Sequence, residues 1–336
     1  MYIFYNTNSD WEKDYILKEL FPFGKVIFIN PYQMLNLNFY KNLFKNYEYD
    51  FRNNCVFVLG GLIHGNREVK DPCSTFLVSK INDKNYLHMF RYLEFKKIFD
   101  YLRPLVTFIL SDEYGKISYL DNLGYRTKIL FRNYYHPNYY GLNINPKPKN
   151  IHWHPLGYNS DFLECNDWKK NCIDSRNQGI YNVYKKKYLW SFIGDFKNNI
   201  RRNLIEKFKE KSPNYYGNNV DKKKMFEIYS QSIVVLNTRG WVSYDCLRLY
   251  ETVVSGAIPV LVVNKNEAKN TFMKEENPPW IFCDSIEQAF NICVYLFNNL
   301  DIAQFKINEI RKWWEKRITR VRKQVLDCVY ENKLPY

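Results

Sequence analysis

No stretch of this 336-residue chain approaches 18 uninterrupted apolar residues, so no membrane-spanning helix is expected. The opening Met-Tyr-Ile-Phe-Tyr-Asn-Thr-Asn is too short and too polar for a secretory signal. None of the eight cysteines forms a Cys-x-x-Cys pair, which excludes the commonest zinc and redox spacings. Cys55 heads an apolar run and Cys283 ends one, so both read as small buried hydrophobes. Cys165 and Cys172 lie near each other in a polar stretch, which leaves a local disulfide open. With no signal, however, the reducing cytoplasm is the expected compartment. There is no zinc-finger spacing, no RNP-like motif and no arginine-rich arm. No segment repeats at solenoid period and none is of low complexity.

What is present is apolar, aromatic and basic. Hydrophobic residues make up 46% of the chain, enough for two ordinary domains or one large one. Aromatics reach 18%, mostly Tyr and Phe, alongside much Lys, Asn and Ile. An AT-rich genome would give that bias, so part of it is discounted as codon drift rather than function. The net charge is +14, from 49 basic and 35 acidic residues. Such a balance suits nucleic acid, a membrane surface or a small anion. The charge is scattered, though: the densest runs, Lys185–Lys187 and Lys222–Lys224, are three residues long and read as solvated surface.

Along the first half, apolar runs end in polar loops and alternate with helical stretches. Lys25–Asn30, Cys55–Leu59, Leu105–Leu110, Thr127–Phe131 and Ile151–Leu156 read as strands, and Tyr86–Leu102 as a helix. Asn159–Lys187 is polar and without apolar period, so an interdomain linker is read there. The second half repeats the rhythm. Tyr188–Ile193, Asn214–Gly217, Ser232–Leu236, Ile258–Val263 and Trp280–Cys283 read as strands. Helices are expected at Asn198–Glu210, from an Asp221 N-cap to Tyr229, from Ser243 or Asp245 to Ser255, and at Ser285–Asn298. A last helix, Ile302–Val329, sets Ile307, Ile310, Trp314, Ile318, Val321, Val325 and Val329 on one face. Arg311, Lys312, Lys316, Arg317, Arg320, Arg322 and Lys323 form a basic one. That face reads as solvated, with a membrane-surface helix as the sharper alternative. Strand, loop and helix in repetition predict an α/β fold with parallel sheets.

The chemistry concentrates in Ser232–Val263, which reads as strand, loop, helix, glycine turn and strand. The loop carries Arg239, Gly240 and Ser243 ahead of a helix N-terminus, whose free N–H groups and dipole suit a diphosphate. Arg239 adds a permanent charge with a bidentate fork, and Gly240 lets backbone approach a ligand. Arg248, Glu251 and Ser255 share one helix face. A Glu there can accept hydrogen bonds from ribose hydroxyls; equally, Arg248 and Glu251 can form a surface pair of little energetic weight. His152 and His154 share a strand face, an arrangement open to metal ligation or to a structural role.

Arg239-Gly240, then Leu247-Arg248-Leu249-Tyr250-Glu251, then Gly256-Ala257-Ile258-Pro259-Val260 resembles the donor-site signature of exostosin-like glycosyltransferases. Upstream, Trp190-Ser191-Phe192-Ile193-Gly194 with Arg201 and Arg202 is similar to the family's Phe-x-Gly…Arg segment. The resemblance implies a GT-B architecture: two Rossmann-like domains facing across a cleft, with a long C-terminal helix. It implies inverting, metal-independent transfer of sugar from a nucleotide-sugar co-substrate, UDP being the commonest carrier, with no further cofactor. It makes Gly194, Arg201, Arg202, Arg239, Gly240, Ser243, Arg248 and Glu251 donor-binding residues. It divides the chain into an acceptor-side domain at 1–182, a donor domain at 183–302 and a returning helix at 303–336. The chain holds no Asp-x-Asp, the motif by which metal-dependent GT-A enzymes hold a cation on the diphosphate.

The first half matches less. Ser111-Asp112-Glu113-Tyr114-Gly115 and Trp153–Tyr158 look similar to stretches of related transferases. The base that deprotonates an acceptor hydroxyl is expected on loops at strand carboxyl ends: Asp112 first, Glu113 second, His64 third. A helix N-cap is the other reading of Asp112. The expected acceptor is a glycan or protein-linked hydroxyl, and no nucleic-acid partner is expected. Two competing classes remain: a basic nucleic-acid-binding protein whose aromatics stack on bases, and an inactive GT-B protein that binds glycans.

Overall fold

In the computed structural model the chain forms two α/β units, Met1–Pro155 with Arg320–Tyr336, and Leu156–Thr319. The structure describes residues 1–6, 12–22, 24–46, 55–59, 84–110, 118–134, 150–163, 179–240, 243–272 and 277–331.

The first unit carries a six-stranded parallel sheet of β1 (Tyr2–Asn6), β2 (Lys25–Ile29), β3 (Cys55–Leu59), β4 (Val106–Ile109), β5 (Ile129–Arg132) and β6 (Ile151–Trp153). Their order is β2-β1-β3-β4-β5-β6. Helices α1 (Pro31–Met34), α2 (Leu37–Asn46) and α3 (Lys84–Leu102) accompany it. Strands β1, β3 and β4 are buried along their whole length. A parallel strand covered on both faces reads as an unbroken apolar run, which is why CVFVL was legible. β1 lies outside the strands that the sequence pattern suggests, and it pairs between β2 and β3. Much of the aromatic excess serves this core. Phe57 packs its ring 5.4 Å from Phe4 and 5.2 Å from Phe99, and Tyr40 lies 5.6 Å from Phe4. Full burial of each such ring contributes roughly 1.5–3 kcal/mol.

The second unit carries a five-stranded parallel sheet of β7 (Tyr188–Ile193), β8 (Asn214–Gly217), β9 (Ser232–Asn237), β10 (Ile258–Val262) and β11 (Ile281–Cys283). Their order is β11-β10-β9-β7-β8. Its helices are α4 (Asn199–Phe208), α5 (Lys222–Ser230), α6 (Leu247–Val254), α7 (Lys265–Phe272), α8 (Ile286–Asn298) and α9 (Leu300–Glu331). Side-chain oxygens cap three of them: Asn198 accepts from Ile200 N, Asp221 from Lys224 N and Ser285 from Gln288 N. The start of α6 differs from expectation. Its N-cap is Cys246, with no side-chain cap, because Ser243 and Asp245 are engaged elsewhere. Ser243 Oγ accepts from Asp245 N, and Tyr250 Oη donates to Asp245 Oδ1 at 2.6 Å. Gly256 ends the helix at φ 73, as its position suggested.

Helix α9 runs from the second unit into the first, which takes it up at Arg320. Ile307, Ile310, Trp314, Ile318, Val321 and Val325 are buried, following the apolar period. The basic face needs a correction: Arg317 is 2% exposed, packed inside rather than solvated. So does the run Lys185–Lys187, because Lys186 points inward. Its ammonium donates to the carbonyls of Ile180, Ser230 (2.7 Å) and Gly256 (3.0 Å), joining the C-terminal ends of α5 and α6. Among the described residues no helix is long and apolar enough to cross a membrane.

In both sheets the first strand of the unit lies between its second and third. The topological switch points are therefore β1/β3 and β7/β9, where open α/β sheets bind ligands beyond the strand carboxyl ends.

Candidate functional site

At the β7/β9 switch point, β7 ends in Phe192-Ile193-Gly194 and β9 runs into Asn237-Thr238-Arg239-Gly240. The register fixes this juxtaposition: Trp190 pairs with Val234 and Ser191 with Val235, so both strands deliver their last residues to one edge.

Arg201, from the first turn of α4, bridges the two loops. Its Nε donates to Thr238 Oγ1 (3.2 Å), Nη1 to the Asp195 carbonyl (3.0 Å) and Nη2 to the Arg239 carbonyl (2.9 Å). Gly240 N donates to the Ser243 carbonyl at 2.8 Å. The Arg239 side chain is exposed. Arg202 points outward, exposed, and donates to Asn199 Oδ1.

Arg248, one residue into α6, lays its guanidinium over the Phe192 ring, 5.2 Å from the centroid. It is only partly buried, and among the described residues no carboxylate comes within ion-pair distance of it. Burial first, and then the Arg248 charge, lower the Arg201 pKa. Two guanidiniums held this close are a standing repulsion that an anion relieves. One helical turn further, Glu251 is 4% exposed and accepts from Asn159 N at 3.4 Å. Burial raises its carboxyl to about 7, while Arg248, the Asn159 amide and Lys222 pull it back. A surface pair of Arg248 with Glu251 is thus excluded: the acid is inside. Tyr229 brings a fully buried hydroxyl beside both, and burial pushes its pKa up.

The structure brings together Gly194, Arg201, Arg248 and Glu251 around this edge, with Arg239, Gly240 and Ser243 on the adjoining loop. Arg202 stays outside. Phe192, Thr238, Tyr229 and Asn159 were missed. Phe192 stood inside the quoted motif without a role, and Asn159 fell in the stretch read as linker. His64, Asp112 and Glu113 lie outside the described residues, as do Cys165 and Cys172. His154 is buried against Tyr15 (5.7 Å), Phe108 (5.1 Å) and Phe131 (5.7 Å), whereas His152 is partly exposed. Among the described residues no cluster of three or more His, Cys, Asp or Glu suits a metal ion. A shallow cavity lined by Phe99, Arg103, Leu105, Tyr125 and Lys128 lies near the amino ends of β4 and β5, away from either switch point.

No family model and no curated protein sequence matches the chain. Solved structures match it along its length. An α-glucosyltransferase in complex with UDP and a 13-mer DNA containing a central A:G mismatch is 11% identical. It covers 98% of both chains at a TM-score of 0.54. An α-glucosyltransferase with UDP and a 13-mer DNA containing an HMU base is 12% identical, with 98% of both chains and a TM-score of 0.53. Anabaena HepE in complex with UDP and glucose is 8% identical, with 99% of both chains and a TM-score of 0.51. Two parallel-sheet α/β units and a long C-terminal helix give this chain the GT-B fold.

Proposed function

We propose that the protein is a glycosyltransferase that moves a sugar from a nucleotide donor, UDP-sugar foremost, to an acceptor hydroxyl. The observation that carries this reading is the arrangement at the β7/β9 switch point. A part-exposed guanidinium on a ring, a second one tying both loops, and a buried carboxyl meet there on one edge. Arg248 and the start of α6 would stabilise the diphosphate as it departs, and Glu251 would accept hydrogen bonds from the ribose. UDP in each of the three structurally similar proteins supports the choice of nucleotide.

On this reading the transfer needs no divalent cation, because arginine charge and helix dipole neutralise the leaving group and the chain lacks Asp-x-Asp. Kinship with the exostosin-like family rests on the motif at 188–263 and belongs to the same proposal. So does inversion with Asp112, Glu113 or His64 as the base. The free thiols of Cys55, Cys246, Cys283 and Cys293 suit a reducing compartment.

The acceptor we favour is a glycan or a protein-linked hydroxyl. A second reading, a hydroxyl on DNA, draws on the +14 charge and on the DNA in two of the similar structures. Incubation with a panel of UDP-sugars, first alone and then with oligosaccharides or hydroxymethyl-bearing duplex DNA, tests both. UDP release that rises with oligosaccharide supports the favoured acceptor. A rise only with DNA moves the assignment to the second, and no release under any condition removes the transferase reading.

A further inference from the structure

We infer that Gly194 is a positioning residue whose missing side chain makes the notch that seats the Arg248 guanidinium toward a bound diphosphate. The inference rests on the donor-site reading above and goes one step into it.

Backbone conformation does not call for glycine here. The described glycines with φ in the left-handed region are Gly157 and Gly256, and Gly194 is not one of them, so alanine fits its backbone without strain. Space does call for it. A Cβ on residue 194 would lie 2.6 Å from Arg248 Nη2, 3.4 Å from Arg248 Cζ and 3.4 Å from Phe192 Cζ. The first contact is closer than carbon and nitrogen tolerate, so something must move. What stands in the way is the tip of a long side chain rather than backbone, so the fold yields at little cost and the guanidinium is displaced.

Of the two guanidiniums at this edge, the displaced one is the less committed to the loops. Arg201 commits all three guanidinium nitrogens to the loops after β7 and β9. Arg248 is held flat by the Phe192 ring beneath it and by the open edge of residue 194. Glycine at 194 therefore serves the charge of a residue far along the chain, not the direct approach of ligand to backbone.

Calorimetry with UDP and with uridine on wild type, Gly194→Ala, Arg248→Ala and the double variant tests this. Gly194→Ala is expected to keep the wild-type melting temperature and uridine affinity. Its UDP affinity is expected to fall about tenfold, the size of one charge-assisted hydrogen bond. In the Arg248→Ala background the same change is expected to cost nothing further. Phe192→Leu, which keeps the notch and removes the ring, is expected to weaken UDP binding about threefold or more. Wild-type UDP affinity in Gly194→Ala, an equal loss for uridine, or losses that add in the double variant would each overturn the role of Gly194. A wild type that binds no UDP would overturn the donor-site reading itself.

Discussion

Arg201 Nη2 donates to the backbone carbonyl of Arg239 at 2.9 Å, so a helix that follows β7 holds the loop that follows β9. The same guanidinium grips Thr238 and Asp195. The two loops at the switch point are thus one hydrogen-bonded assembly, which Arg239 joins through its main chain while its side chain stays exposed.

This orders the basic residues of the site. Arg201→Ala is expected to weaken UDP binding at least tenfold, because it releases both loops. Arg202→Ala, on the outward face of α4, is expected to leave binding within about twofold. Titration calorimetry on the two variants checks the ordering, and equal effects would contradict it.

Glu251 carries the pH dependence. Burial raises its carboxyl from 4.5 to about 7 in the folded chain. The folded protein therefore holds the proton more tightly than the unfolded one. As pH rises from about 4.5 through about 7, the buried carboxylate is a growing penalty, on the order of 3 kcal/mol at the plateau. Urea unfolding at pH 5 and pH 8 is expected to show Glu251→Gln gaining stability relative to wild type at the higher pH. A constant difference between the two proteins would show that Glu251 does not titrate in this range.

Lys186 and Gly256 share a carbonyl cluster in which substitution acts on stability alone. Lys186→Met leaves the carbonyls of Ile180, Ser230 and Gly256 without their donor, and is expected to cost about 2–4 kcal/mol. Gly256→Ala places a Cβ 2.6 Å from the Ile180 carbonyl oxygen at φ 73, and is expected to cost roughly 2 kcal/mol or more. Thermal melts that match wild type would contradict both.

Transfer is expected to continue in EDTA, and Asp112→Asn is expected to lower kcat by about two to four orders of magnitude with UDP affinity unchanged. Loss of turnover in EDTA with recovery on Mg²⁺ would contradict the metal-free reading. Normal turnover in the variant would move the base to Glu113 or His64.

The strands were legible where both faces of a parallel sheet are covered, since CVFVL and YLWSFI then have no polar face to confuse the period. The helix cap at Asp221 and the helix start at Ser285 were legible, since at both the capping oxygen acts within three residues. Local pattern failed for β1, whose residues were not read as a strand, and for Arg317, where helical period fixes a face but not its surroundings. The site residues Arg248 and Glu251 came from motif and face. Their partners Phe192, Tyr229 and Asn159 did not, because such contacts join distant segments: Asn159 and Glu251 lie 92 positions apart.

The most direct test of the donor site is titration of UDP into wild type and Glu251→Ala. Micromolar to millimolar binding by the wild type, weakened about tenfold to a hundredfold in a variant that still unfolds cooperatively, is the expected result. Equal affinity in the two proteins would contradict the placement of the nucleotide against α6.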